Sequence, residues 1–530
     1  MCASAVIENT MNVVNLNEDL TQNLKEIVDF KQSLVDFQLS LNNTTEQIKI
    51  LQLKSKDIDE DIYRNNYLMN ELNNVINDLT IKPKLINVIY NTDITQVDDW
   101  CNSVQELEYH SNKLETYHKL KSKNNLQLVL QSLKLKAMEK IRLKLLSSFQ
   151  PFQTTSNSNI PFHQLGILLK YAPLFGFIKR QNHELANEIE RTYVNMSRGY
   201  YETCLVRYTR DILKVLPRFK ELSISNSANA WESSEENDEG LILKDRLKYS
   251  TFEGPNVFLA YQSDDPNFKL PPEALFRSLL LTFVDNACSE FTFDLRFFNE
   301  EINNVNDKPG VFLNETEIQV AEDNNLLKST QNTWNQIFEP ALNQVKNDLI
   351  KIPSNTTLPS SLFSMIRIND ECHQIGLNRG CLPIANFCSE VRLIIWPIFQ
   401  REMNERVLSL HKLSIESQPP SASLIGTASN FVSSSIGMNQ KRINKPVAEL
   451  VTRRYINLYT CLKELCTSDD QMMLQSNIKR LRTLIQSILE VASQREQNDS
   501  DWLFDLYSSL ANSTRSFDDE KSYWMKLIKK

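Results

Sequence analysis

An all-α chain, with a long amino-terminal coiled-coil helix followed by helical bundles stacked into a rod, is the fold class this sequence predicts. Three observations carry that expectation. Residues Val13 to Leu79 hold one heptad register without a break. The 530 residues include only 10 Gly and 18 Pro, against a usual usage of about 7% and 5%, so the residues that make turns are scarce. Beyond the heptads, apolar residues recur at three- and four-residue spacing in segment after segment, the helical period.

The first element is the heptad helix. Its a positions are Val13, Leu20, Ile27, Leu34, Leu41, Ile48, Ser55, Ile62, Met69 and Ile76; its d positions are Leu16, Asn23, Phe30, Phe37, Thr44, Leu51, Ile58, Asn65, Leu72 and Leu79. Of these 20 positions 16 are apolar, where a hydrophobic share of 41% would place about 8. The first proline is Pro83 and the first glycine Gly166, so nothing interrupts the helix, and at 1.5 Å per residue it spans roughly 100 Å. The flanking positions are mostly polar, with Asp19, Glu26 and Lys54 on one side and Lys31, Gln38 and Asp59 on the other.

A two-in-seven seam must be covered by other helices, and no second heptad run of similar length can fold back on it. The spacing therefore predicts a subunit interface whose core is Leu20, Ile27, Leu34, Leu41, Ile48, Leu51, Ile58, Ile62, Met69, Leu72, Ile76 and Leu79. The alternative is an amphipathic helix lying on the protein's own body, although core-facing helices usually show a wider stripe. Asn23, Thr44, Ser55 and Asn65 interrupt the seam and suit the setting of register and partner choice.

Residues 1–82 form this coiled coil and 83–222 a helical region. Lys82 and Pro83 end the heptads at a hinge. A short apolar segment, Leu85 to Tyr90, leads through a polar turn to a second long helical pattern from Trp100 to Phe149. Lys119, Lys121, Lys123, Lys134, Lys136, Lys140, Arg142 and Lys144 in that segment are opposed by Glu139 alone. They read as a patch for acidic lipid or as a solvated face beside Leu126, Leu130, Leu133, Ala137, Ile141 and Leu145. Pro151 to Pro161 reads as a polar loop. Ile189, Tyr193, Met196, Tyr200, Cys204 and Tyr208 follow one helical face, which fits bundle packing better than a ladder for stacking nucleobases.

Residues 223–240, SISNSANAWESSEENDEG, are acidic and poor in aliphatics and read as a disordered insertion. A central bundle is predicted over 241–412. It opens with β-like patches at Tyr249 to Phe252 and Val257 to Ala260, followed by the dense segment Leu270 to Phe298. Pro271 and Pro272 suit a helix start, and Glu273 with Arg277 is a favourable i, i+4 pair. Phe276, Leu279, Leu280, Phe283, Val284, Ala287, Phe291, Leu295 and Phe298 make a face too wide for a surface helix, so a central core helix is predicted. Trp334 to Ile350 and Leu362 to Leu410 read as further helices, 413–446 as a mobile loop, and 447–530 as a carboxy-terminal bundle with Leu481, Leu484, Ile485, Ile488 and Val491 on one face.

The chemistry of the side chains is spare. A formal net charge of −8 argues against a general nucleic-acid binder. No Walker loop, GxGxxG, GxSxG or HExxH is present, and His110, His118, His163, His183, His373 and His411 are scattered. Cys372, His373, Cys381 and Cys388 form the one cluster worth testing for zinc, but their spacing matches no common site, and buried Cys usually serves as a small apolar residue. No catalytic, cofactor-binding or metal residue is predicted, and no cofactor. The nine cysteines contain no CxxC, Glu8 interrupts any leader-like start, Cys2 stands where a myristoylated glycine would, and no apolar run approaches 18 residues. A reducing, cytoplasmic setting with peripheral membrane contact through partners is the expectation.

Particular runs carry a resemblance. PEALFRS followed by DNACSEFTFDLRFF, within 272–298, closely resembles a segment of the vacuolar-protein-sorting fifty-two subunit family of the Golgi-associated retrograde protein complex, GARP, and its endosomal sister complex. KPKLINVIY at 82–90, LKLKAMEKIRLKLL at 133–146, LLKYAPLFGF at 168–177, EIERTYVNMSRGYYETCL at 188–205, IIWPIFQREMN at 394–404 and VTRRYINLY at 451–459 fall in that family's order. The resemblance implies a tether subunit for endosome-derived vesicles at the trans-Golgi network. It further implies sister subunits joined through amino-terminal coiled coils, SNARE proteins and a small Rab-type GTPase as partners, and carboxy-terminal bundles stacked into a rod. The residues alone leave open a homodimeric coiled-coil scaffold or cytoskeletal protein.

Overall fold

The computed structural model describes residues 2–117, 123–154, 160–218, 248, 257–299, 302, 313–323, 325–417, 445–466, 471–495, 500–513 and 518–529. The described residues contain helices and turns and no strand, as the composition predicts. They divide into two compact units, Met1–Thr92 with Asn102–Lys136, and Asp93–Cys101 with Ala137–Lys530.

The first unit is built on α1, Cys2–Leu79, a single helix of 78 residues. It stops at Leu79, and Pro83 opens α2, Pro83–Asn91, at a first-turn position where its missing N–H costs nothing. The segment expected as a short apolar run before a turn is thus itself a helix, with Leu85, Val88 and Ile89 buried. The single helix expected from Trp100 to Phe149 is two, α3 (Val97–Thr116) and α4 (Lys123–Phe149).

The second unit holds the bundle. Its first helices are α5 (Pro151–Thr154), α6 (Ile160–Gly166), α7 (Ala172–Gln181) and α8 (His183–Val215), so both ends of the expected 151–161 loop are helical. Asn182 caps α8, its side chain accepting from the Leu185 N–H at 3.1 Å. The β-like expectation at Val257 to Ala260 is not met. That stretch is irregular and runs into a 3₁₀ turn, Ala260–Asp264; Tyr249 to Phe252 and the 223–240 insertion lie outside the described residues.

At the centre lies α9, Pro272–Phe298, buried on nearly every side and packed on α6, α7 and α8 and on three helices that follow it in the chain. After the short α10 (Glu315–Asp323) come α11 (Leu326–Ser354), α12 (Pro359–Asn378) and α13 (Leu382–Ser417). The break between α12 and α13 is made by Gly380, whose φ of 70° is left-handed, a conformation that suits glycine at the end of a helix. A Cβ there would come 3.2 Å from Ile318. Helix α13 runs into the segment expected as a mobile loop, reaching Ser417, and α14 begins at Lys445; 418–444 lie outside the described residues. The last helices are α14 (Lys445–Leu465), α15 (Gln471–Arg495), α16 (Ser500–Ser513) and α17 (Asp518–Ile528). Of the face predicted on α15, Leu481, Ile485 and Ile488 are buried while Leu484 and Val491 are half-buried, and Leu489 and Ala492 complete the buried row.

Within α13, residues Leu382–Ser414 are long and apolar enough to cross a membrane by length and composition. Here Ile384, Val391, Ile395, Phe399, Met403 and Leu410 are buried in the bundle, where α13 packs on α12 and α15.

Candidate subunit interface

Every apolar seam residue of α1 from Val13 to Ile76 is between 48% and 67% exposed. That range includes Leu20, Ile27, Leu34, Leu41, Ile48, Leu51, Ile58, Ile62, Met69, Leu72 and Ile76. Leu79 alone of the predicted interface residues is partly covered. The chain itself leaves the seam open. An isolated helix owes most of its stability to packing of its apolar face, and within this chain that face of the 78-residue α1 is uncovered. Thr44, one of the polar interruptions, returns its hydroxyl to the Ser40 carbonyl at 2.7 Å, and Thr45 does the same to Leu41 at 2.6 Å, which keeps both side chains on the helix.

Two features of this site escape the heptad pattern. A second apolar row, Ile7, Val14, Val28, Val35 and Tyr63, lies at the b positions and is also exposed. Its signal is in the sequence, one residue after five of the a-type positions, while Thr21, Asn42, Lys49, Lys56, Asn70 and Asn77 at the remaining b positions are polar. The other is the base of α1. Asp78 takes a hydrogen bond from Tyr109 Oη at 2.8 Å and another from Tyr117 Oη at 2.9 Å, and His110 Nδ1 lies 2.9 Å from the Asp78 carbonyl oxygen. Lys82 pairs with Glu106 at 2.6 Å. The Tyr109 hydroxyl, more than any other group, holds the Asp78 carboxyl below its usual range, with Tyr117, Lys113 and His110 adding to the effect against partial burial. The last turn of the long helix is therefore clamped to α3. No local motif announces this, because the partners are some thirty residues apart.

The other candidate groups are occupied by the fold. On α4, Lys140 sits over the Trp100 ring at 5.9 Å and Lys144 over the Tyr171 ring at 5.9 Å. Arg142 pairs with Glu188 at 2.6 Å, and Lys134 donates to Ser111 Oγ at 2.7 Å. Lys119 and Lys121 lie outside the described residues. Cys372, Cys381 and Cys388 are buried and His373 partly so. Burial pushes all three thiols up from their usual range, the opposite of what an available thiolate ligand needs. Of the face predicted on α8, Ile189 and Tyr193 are buried, whereas Met196, Tyr200, Cys204 and Tyr208 are only half-buried; the buried row turns instead through Ser197, Tyr201 and Leu205, and Tyr201 lies 4.6 Å from Phe338, centroid to centroid.

What the sequence pattern missed is polar and deep inside α9. Glu290 accepts from Tyr193 Oη at 2.6 Å, Tyr201 Oη at 2.8 Å and Gln164 Nε2 at 2.5 Å. Arg296 and Glu317, each 1% exposed, form a two-pronged pair with both contacts at 2.9 Å. Trp334 Nε1 donates to the Ala287 carbonyl at 2.9 Å. These contacts lock α6, α8, α10 and α11 onto the central helix.

Comparison with known proteins covers nearly all of this fold. A family model described as "Vps52/Sac2 family, coiled-coil" matches residues 5–178, and one described as "Vps52, C-terminal" matches residues 225–518. The chain is 22% identical over 427 residues to vacuolar protein sorting-associated protein 52 A of Arabidopsis thaliana, covering 77% of this chain and 55% of that protein. It is 22% identical over 447 residues to vacuolar protein sorting-associated protein 52 of Saccharomyces cerevisiae, covering 74% and 65%. Against the Mus musculus homologue the identity is 22% over 311 residues, covering 55% and 42%. The chain thus spans between about two-fifths and two-thirds of the length of these relatives. No solved structure matches it.

Proposed function

The chain belongs to the Vps52 family, and on that premise we propose that it is one subunit of a multisubunit vesicle-tethering complex of the GARP type. In this reading it acts in retrograde transport from endosomes to the trans-Golgi network, at the cytoplasmic face of those membranes and held there through its partners. The observation that supports it is the uncovered seam of α1. Sister subunits, joined through their own amino-terminal helices, supply the cover. The bundle of the second unit offers surfaces for a small Rab-type GTPase and for SNARE proteins. Work is done by binding alone: a tether gains from linking weak contacts, because each further site acts at the high effective concentration set by the first.

Two measurements test the reading. The full chain, co-expressed with its sister subunits, should purify as a hetero-oligomer through α1. Sedimentation of the isolated 1–82 segment separates the remaining alternative, since a homodimeric scaffold requires that segment to self-associate strongly without a sister chain. A stable 1–82 homodimer together with failure to recruit sister subunits would replace the tether by the scaffold.

A further inference from the structure

The carboxy-terminal helices α14, α15 and α17 line an open-sided cavity of about 370 Å³, within the range of roughly 300–1,000 Å³ usual for small-molecule sites. Its inner wall includes the buried Leu474. Four cations, Lys463, Lys479, Arg482 and Lys526, line it together with one carboxylate, Glu520. Glu520 is 2% exposed and fully engaged. Its Oε1 accepts from Tyr455 Oη at 2.6 Å and Trp524 Nε1 at 2.9 Å, and its Oε2 accepts from Arg482 Nη1 at 3.0 Å.

That arrangement fixes a cationic wall. Four positive charges less one negative leaves a net of three in the lining. Arg482 is held from both sides, by Glu520 and by the face of the Tyr523 ring 3.8 Å away, and its buried Nε has no hydrogen-bond partner among the described residues. Lys479 and Lys526 are exposed and have neither an ion pair nor a hydrogen bond there. Gathering like charges around one small space is unfavourable unless an anion offsets them. A single carboxylate would offset one charge of the three. A phosphate monoester carries about −1.5 to −2 and three strong acceptor oxygens, so two such groups on one small molecule match the wall.

We propose that this cavity binds a multiply phosphorylated small group of the phosphoinositol type, with Lys479, Lys526 and the Arg482 guanidinium as its contacts. The group has two sources, the headgroup of a phosphorylated inositol lipid or a soluble inositol phosphate. The proposal stands apart from the tethering reading, because neither α1 nor any partner chain contributes to the wall.

The test uses the full chain with two probes. Inositol hexakisphosphate is titrated by calorimetry, and phosphatidylcholine vesicles carrying phosphatidylinositol bisphosphate are compared by co-flotation with vesicles carrying the same surface charge as phosphatidylserine. Two variants accompany it: Lys479→Glu with Lys526→Glu, which inverts two charges at exposed positions, and Ser522→Trp, which fills the cavity from the exposed Ser522 without changing charge. Saturable binding that falls at least tenfold in both variants, with thermal melting unchanged, is the expected result. Binding of both probes identifies the lipid headgroup and binding of the soluble probe alone identifies the free inositol phosphate; either supports the site. Should the lysine variant melt early, the Ser522→Trp result decides. No binding of either probe, equal flotation on both vesicle types without soluble binding, or undiminished binding by the variants overturns the proposal.

Discussion

Glu290 and Asp294 stand one helical turn apart on α9, both buried, and only one of them is supplied with donors. Glu290 accepts from Tyr193, Tyr201 and Gln164, whereas neither carboxyl oxygen of Asp294 has a hydrogen-bond partner among the described residues. Burial, then the charge of Glu290, then that of Glu190, push the Asp294 carboxyl well above its ordinary value. Burial also raises Glu290, opposed by its three donors. The two therefore divide the labour: Glu290 is the acceptor and Asp294 holds the proton.

That division has a pH signature. A carboxyl whose pKa is raised on folding binds more protons in the native than in the unfolded state, so its contribution to stability falls as pH rises above the unfolded value near 4. Asp294 should contribute a loss of stability from about pH 4 upward through its raised pKa, and Asp294→Asn, which imitates the neutral acid, should remove that contribution and leave the protein as stable or more so at pH 7. Thermal melts at several pH values check this. A variant with the same slope as the parent would mean that Asp294 is not the proton-holding group.

Ile27→Asp with Ile48→Asp should abolish recruitment of sister subunits. Each residue is worth roughly 1.5–3 kcal/mol when fully buried, and each substitution adds a charge that the assembled seam would have to desolvate. Both positions are exposed in the chain alone, so the melting of the second unit should not move. Normal co-purification of this double variant would place the interface elsewhere.

Phe283→Ala tests the core against the surface. Phe283 is fully buried, its ring centroid 4.9 Å from that of Phe387 and 6.0 Å from that of Phe338. Emptying such a site costs about 3–5 kcal/mol, a large share of the roughly 5–15 kcal/mol that keeps a domain folded. The melting temperature of the full chain should drop clearly. The full chain is the right object, since Tyr201 of α8 also packs on Phe338 and a fragment starting after α8 would lose that wall. Unchanged melting with lost sorting would make Phe283 a binding residue.

Glu317→Ala should be as damaging by another route. It strands the Arg296 guanidinium in a 1% exposed site, and removing one member of a buried pair costs about 3–5 kcal/mol. Adding Arg296→Met to the same chain should recover most of that loss, because the stranded charge goes with it. A double variant no better than the single one would show that the pair's other contacts carry the stability.

Replacing Cys372, Cys381 and Cys388 by Ala together with His373→Ala should cost only packing. Melting falls modestly, and assembly with sister subunits is kept. Stoichiometric zinc in the parent protein, lost along with assembly in the variant, would contradict that expectation.

The long helix α1 is legible in the sequence because sixteen of twenty heptad positions are apolar and no glycine or proline interrupts them. The central place of α9 is legible too, since Phe276, Phe283 and Phe291 leave too little polar surface for a solvent face. The break between α3 and α4 is not legible, because it falls between Thr116 and Lys123 without a glycine or proline. The Gly380 break hides in a run whose apolar spacing barely falters. The buried polar contacts of α9 escape for a different reason: Gln164, Tyr193 and Glu290 come together only after α6, α8 and α9 have packed, and a single residue's character does not reveal its distant partner. The Asp78 clamp is hidden in the same way.

A helix that keeps its apolar seam in water for some sixty residues also governs how long the molecule lasts in a cell. Exposed apolar surface on that scale is what chaperones and proteases recognise, and a single helical strand offers a backbone that a protease can open wherever it frays. On the proposed reading, copies without a sister chain would be the vulnerable ones and copies with one would be shielded along the same stretch. The steady-state amount of this subunit should then follow the supply of its partners rather than its own rate of synthesis, so that overproducing it alone yields turnover in place of surplus.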